Sequence, residues 1–273
     1  MILYFSGTGN SRYVARTLAA IFSEECHPIE PSMRSGSLQL PTTDRHLIWV
    51  FPVYSWGVPP YVRSVMRSID ISTAVHPVPM HAVMTCGDDC GRADRMWRRD
   101  ARSRGWTTGA VCTIQMPNNY VAMKGFNVDP KDIETRKLAA APARIAAVAE
   151  LISKSDKNRL EITDVVAGSF AWLKTAVVYP WFIRNAMSPR RFHSTDSCTG
   201  CGLCARTCPL GNIAMQQTHR PAWGTDCAGC LACYHICPTH SVAYARATLH
   251  KGQYFLPQSF LSKTPNPASD KWL

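Results

Sequence analysis

Acid is scarce in this sequence. Asp and Glu number 19 against 30 Lys and Arg, a formal charge of +11 that suits acidic redox partners or an anionic membrane surface. A secretory leader pattern is missing as well: Met1 runs straight into Ile-Leu-Tyr-Phe5, with no basic n-region and no small-residue cleavage site. The expected compartment is therefore the reducing cytoplasm, where 12 cysteines mean metal binding rather than disulfides. Long apolar runs are wanting too. The best, Val165 to Ile183, is broken by Lys174 and Pro180, whereas a membrane span needs about 20 apolar residues with few or no charges. An amphipathic helix or helix pair between two modules is expected there, with Arg184, Arg190 and Arg191 behind it leaving peripheral membrane contact open. Neither G-x-G-x-x-G nor GK[ST] occurs, and no nucleic-acid motif accompanies the arginines, so nucleic acid is not an expected partner.

What the chain does have is a doubled cysteine run. Cys198, Cys201, Cys204 and Cys208-Pro209 repeat the spacing of Cys227, Cys230, Cys233 and Cys237-Pro238. Both halves match C-x2-C-x2-C-x3-C-P, which holds cubane iron–sulfur clusters in bacterial two-cluster ferredoxins. Two-residue gaps let one short loop aim three thiolates at one cube, while the fourth cysteine, carried past on a helical turn, reaches the other. On that crossed pattern Cys198, Cys201, Cys204 and Cys237 hold one cluster, and Cys227, Cys230, Cys233 and Cys208 the second. Zinc sites use one or two C-x2-C pairs with four ligands per metal and fit this doubled run poorly. Eight thiolates and two cubes of about 2+ would bring the charge from +11 to about +7.

Residues 1–153 alternate strand-like and helix-like segments, the pattern of a parallel sheet covered on both faces. Ile2 to Phe5 reads as a buried strand. It ends in Ser6-Gly7-Thr8-Gly9-Asn10-Ser11, and a helical pattern follows. Strand, small-residue loop and helix start together favour a phosphate, through backbone N–H groups, hydroxyls and the positive end of the helix. Here the sequence resembles a flavodoxin, whose phosphate loop binds FMN. The resemblance implies a doubly wound five-stranded parallel sheet of order 2-1-3-4-5 and a phosphate site at Ser6, Thr8, Gly9, Asn10 and Ser11. It maps Tyr54, Ser55, Trp56 and Gly57, after the strand His46 to Phe51, onto a loop covering one flavin face. Thr85, Cys86 and Gly87, after the strand Met80 to Thr85, map onto the ring edge, and Asn119 closes over the cofactor. Cys86 and Cys90 read as small buried residues. The arginine-rich helix around Arg92 to Arg104 reads as a solvated face or an acidic partner's docking surface.

A helical linker over 154–191, a small α+β cluster domain over 192–248 and a tail over 249–273 complete the expected plan. Phe192–Thr195 and Val242–Ala245 should pair as edge strands. The whole resembles the flavodoxin–ferredoxin fusions labelled EFR1-family ferredoxins, which implies an electron-transfer protein of anaerobic or facultative microbes. A cytoplasmic carrier joining FMN to two [4Fe-4S] clusters and an acidic acceptor protein is the leading expectation. The alternative is an FMN-dependent oxidoreductase acting on a quinone- or porphyrinogen-like molecule, with the clusters as electron feed; a redox or iron sensor ranks behind both. Only Asp88, Asp89 and Tyr120 offer acid–base chemistry near the flavin loops, and no catalytic residue is assigned.

Overall fold

Strands β1 (Ile2–Tyr4), β4 (Leu47–Pro52) and β6 (Met80–Cys86) are apolar almost throughout, and in the computed structural model they form the centre of a parallel sheet. Residues 1–40, 46–73 and 78–261 are described. Between and after those strands come α1 (Asn10–Phe22), β2 (Cys26–Pro28), β3 (Ser37–Leu40), α2 (Pro60–Ser68), β5 (Asp70–Thr73), α3 (Ala93–Ser103), β7 (Thr108–Gln115), α4 (Lys131–Asn158) and β8 (Ile162–Asp164). The sheet runs β2-β1-β4-β6-β7-β8, all parallel, and β3 pairs with β5 as a separate ribbon. The first five positions follow the 2-1-3-4-5 order of flavodoxin-like sheets.

Alternation along each strand divides the core in two. Leu3, Trp49, Phe51 and Met84 pack toward α2 and α3. Their neighbours Ile2, Tyr4, Ile48, Val50 and Val83 pack toward α1 and α4. Side chains that repeat every second residue point to opposite faces, so near-continuous apolar runs are what a doubly covered sheet requires.

The sixth strand is an addition to the five expected. It arises from the segment read as helical linker, which is helical only in parts: α4 runs on to Asn158, and β8 follows after Arg159 turns the chain at φ 52°. Charge holds β8 in place. Arg98 donates to the carbonyl of Ile162 at 2.7 Å, and Arg144 pairs with Asp164 at 2.7 Å. Arg102 pairs with Glu161 at 2.6 Å. Arg98 and Arg102, read as part of a solvated or docking face, are thus clamps on the last strand, and Arg98 itself is buried.

Beyond β8 the chain forms α5 (Ala171–Leu173), a wide π turn (Lys174–Val178) and α6 (Tyr179–Asn185) as one helical rod. Pro180 has no N–H to give to the preceding turn, and the widened turn accommodates its ring. The cluster domain follows with β9 (Phe192–Ser194), α7 (Leu203–Arg206), β10 (Ile213–Met215), β11 (Pro221–Trp223), α8 (Ala232–His235) and β12 (Val242–Tyr244). β9 and β12 pair antiparallel, Phe192 opposite Tyr244, as the sequence suggests. The chain then returns as a strap to the sheet and ends, within the described residues, in α9 (Gln258–Leu261). The remainder of the expected tail lies outside the described residues.

Candidate functional site

At the carboxyl ends of β1, β4, β6 and β7 lies a cleft of about 90 Å³. Parallel sheets place ligands there because loops diverge around the switch in strand order. The loop after β1 forms its floor. Gly9 sits at φ 100°, a left-handed conformation that suits glycine, and starts α1. Thr8 and Ser11 are buried. Gly9 N–H donates to Ser6 Oγ at 3.2 Å, Asn119 Nδ2 donates to Thr8 Oγ1 at 2.6 Å, and the hydroxyls of Ser11 and Thr85 share a bond of 2.8 Å. Ser6, Thr8, Asn10, Ser11, Thr85, Cys86, Gly87 and Asn119 all line the cleft. Among the described residues no charged side chain lines it. Neutral donors at a helix start can hold an anion without a counter-charge, so the donor set fits a phosphate. Tyr54, Met116, Tyr120, Phe182 and Leu231 supply apolar walls suited to a flat ring system.

The loop after β4 divides its expected residues. Tyr54 and Ser55 line the cleft. Trp56 instead lies under Lys174, whose Nζ is 5.0 Å from the ring centroid, and Gly57 lies against the Tyr179 ring. Tyr54 and Gly57 exchange two backbone hydrogen bonds of 2.9 and 3.0 Å, and the intervening Ser55 and Trp56 hold φ values of 43° and 64°. Such strain in two non-glycine residues persists because their surroundings fix it. Thr175 Oγ1 donates to the Trp56 carbonyl at 2.7 Å, and the Tyr179 hydroxyl to that of Val58 at 2.6 Å.

After β6, the Cys86 thiol lines the cleft and burial pushes it up; the Cys90 thiol is pushed up to about 12 by the same cause. Neither is poised as a thiolate. Asp89 is bound by Lys174 at 2.7 Å, and Asp88 is 81% exposed. Neither lines the cleft, whereas Tyr120 does.

The fourth wall belongs to the cluster domain. Gly229, Cys230 and Leu231 line the cleft opposite the phosphate loop. A Cβ on Gly7 would lie 2.7 Å from the Cys230 carbonyl, so glycine is what lets the two loops touch. Tyr54 and Cys230 both line the cleft, and burial, then the neighbouring Cys230 and Cys227, raises the Tyr54 hydroxyl well above its ordinary value. A second link runs through His235, between Cys233 and Cys237. Its Nδ1 accepts the Tyr254 N–H at 3.2 Å, so Nε2 carries the proton and donates to the Asn119 carbonyl at 2.7 Å. Burial keeps this imidazole neutral, its pKa lowered to about 4. Asn119 passes the contact to Thr8. The strap adds Leu256 N–H to the Thr8 carbonyl at 2.8 Å and Tyr254 Oη to Asn10 Oδ1 at 2.6 Å.

Two foursomes of the motif cysteines interact, with Cys204 also acting on Cys233: Cys237, Cys198 and Cys201 act on Cys204, and Cys227, Cys233 and Cys208 on Cys230. Each foursome includes one member from the other half of the repeat. Backbone N–H groups of Ser241, Asn212 and Gly229 point at the sulfurs of Cys237, Cys208 and Cys227 at 3.2, 3.3 and 3.4 Å. For Cys237, burial alone would raise the thiol, but these and neighbouring bonds outweigh it and hold the thiol low. Sulfur-directed bonds of this kind favour the thiolate that an iron cluster needs.

Sequence reasoning missed Phe182, the Cys230 loop as a cleft wall, and His235 with the strap. A trace existed for His235 alone: the second half of the repeat carries it where the first half carries Arg206. The rest are long-range contacts with no local pattern.

A family model described as a 4Fe-4S dicluster domain matches residues 191–238. No curated protein matches the chain. Among solved structures, the Trp repressor binding protein from Bacillus subtilis aligns over 56% of this chain and 97% of its own, at 11% identity and a TM-score of 0.34. That likeness is too slight to bear on function. Residues 191–238 thus form a ferredoxin-type region, whose iron–sulfur chemistry is the transfer of single electrons.

Proposed function

We propose that the protein carries electrons between FMN in the sheet-end cleft and two [4Fe-4S] clusters, linking a low-potential donor to an acidic acceptor protein. One observation carries the reading: the Cys230 loop of the ferredoxin-type region is itself a wall of the cleft whose floor is the phosphate loop. FMN, when bound, would supply exchange between one-electron and two-electron chemistry. Ser6, Thr8, Ser11 and the start of α1 would hold its phosphate, and Tyr54, Tyr120 and Phe182 would exclude water from its ring.

The cysteine neighbourhoods support crossed ligation, and the position of one member of each gives the two sites different roles. Cys201 is exposed, whereas Cys230 lines the cleft. The foursome containing Cys201 faces outside partners and the one containing Cys230 faces the cleft. Asp88 and Asp89 stand off the cleft, and among the described residues Tyr120 alone of the three acid–base candidates lines it, which supports a carrier over an oxidoreductase.

Oxygen-free purification with iron, sulfide and FMN counts tests the cofactor content. Cys208→Ala should then disturb the cluster of the second half, and Cys237→Ala that of the first; loss of the same-half signal would refute the crossing. Fast steady-state turnover of a quinone with no protein acceptor present would overturn the carrier role.

A further inference from the structure

The rod formed by α5, the π turn and α6 has two unlike faces. Its inner face is pinned. Lys174 binds Asp89, Thr175 accepts the Arg92 N–H at 2.8 Å and donates to Trp56, Tyr179 donates to Val58, and Phe182 reaches the cleft. Its outer face is apolar and bare. Phe170, Trp172, Leu173, Val177 and Trp181 are 78, 57, 46, 51 and 51% exposed. Phe170 also holds the left-handed conformation at φ 54°, a strained setting for an aromatic residue that leaves its ring in water. Single exposed apolar residues are ordinary; four on one rod and a fifth at its start, two of them tryptophan, are not.

We propose that this face docks the protein on an anionic lipid bilayer. Three observations choose a bilayer as occupant. Charge is complementary: from Val165 to Thr195 there is no Asp or Glu, while Arg184, Arg190 and Arg191 are present and exposed, and basic groups beside an apolar stripe suit anionic headgroups. The side chains are the right kind, because tryptophan with aliphatic neighbours settles at the boundary between headgroups and acyl chains. The geometry is shallow. The stripe from Phe170 to Trp181 is about 18 Å long at helical rise, against a hydrocarbon thickness of about 30 Å, and no described helix is long and apolar enough to cross. The rod lies in the interface plane. Its inner hydrogen bonds hold the stripe outward before lipid arrives, so docking requires no unfolding. Phe182 on the opposite side then sets the cleft beside the bilayer.

The test uses the full-length, cluster-loaded protein and sedimentation with vesicles of phosphatidylcholine alone or mixed with phosphatidylglycerol. Binding is expected on the mixed vesicles, with a blue shift of tryptophan emission, and little on phosphatidylcholine. Trp172→Ser combined with Trp181→Ser should weaken partitioning by about tenfold, and Arg184→Glu by about fivefold or more on anionic vesicles only. Both sites are exposed, so unchanged iron content and melting temperature show that the variants fold. Wild-type protein staying in the supernatant with anionic vesicles would overturn the proposal, as would a double variant that binds like wild type. So would concentration-dependent self-association through this face, lost in the double variant, without vesicle binding.

Discussion

The two ends of the central sheet solve the problem of buried polar groups in opposite ways. At the carboxyl end, around Thr8, Ser11, Thr85 and Asn119, the groups are neutral, the loops are glycine-rich and the space between them is a cleft. At the amino end the groups are charged and closed on one another. His46 Nδ1 meets Asp156 at 2.6 Å and its Nε2 meets Glu24 at 3.1 Å, while His81 Nε2 meets Asp156 at 2.9 Å. His46, His81 and Asp156 are close enough together to hold a cation, but hydrogen bonding argues otherwise. Ala110 N–H donates to His81 Nδ1 at 2.7 Å, so Nε2 of the neutral ring carries the proton and has no lone pair for a metal. A cluster of titratable side chains held to one another by ion pairs is structural. A set of neutral donors at a helix start beside a cleft is where we propose that the cofactor binds.

Breaking the carboxyl end should change cofactor content most. Thr8→Asp places a carboxylate where the phosphate would lie, and we expect loss of flavin with iron and sulfide unchanged; stoichiometric flavin in that variant would sink the loop's role. Breaking the amino end should change stability instead. Asp156→Ala leaves His46 and His81 without their shared partner, at a cost of about 3 kcal/mol, seen as a lowered unfolding midpoint with flavin retained. Equal flavin loss in both variants would erase the distinction between the ends.

The pH dependence sharpens it further. Burial alone would lower His46, but Asp156 and Glu24 outweigh it and raise its pKa. A raised group contributes fully below its unfolded value of about 6.5 and loses that contribution as pH rises through the folded value. The midpoint gap between wild type and His46→Gln should therefore narrow as pH climbs past neutral. For Asp156, burial is outweighed by bonds from His46 and His81, and the pKa falls to about 2. Its contribution is present above about 3.9 and fades toward about 2. Smallest of all is Arg34→Ala, which removes a half-exposed pair with Asp226 at 2.8 Å between sheet domain and cluster domain. A change below about 1 kcal/mol is expected from unfolding curves.

Much of the site was legible because its signals are local. The cysteine spacing, the run Ser6 to Ser11 after a buried strand, and the alternation of segments each lie within a few residues of chain. Trp56 shows the limit. Its position in a loop after β4 matches a flavin-facing aromatic, yet Lys174 and Thr175, more than a hundred residues away, hold it elsewhere. The sixth strand shows it too, since Ile162–Asp164 has no strong strand pattern and is held by Arg98 and Arg144.

By itself the sequence determined the cysteine spacing, the small-residue loop at a helix start and the succession of buried strands and helices, because thiol reach, helix-start chemistry and side-chain alternation are set by neighbours along the chain. Only the tertiary structure decided that the Cys230 loop closes the cleft, that His235 and the strap tie it to Thr8, and that the rod from Ala171 to Asn185 turns its tryptophans outward. Those outcomes depend on contacts between distant segments, whose free energies come from burial and hydrogen bonding that no local pattern encodes.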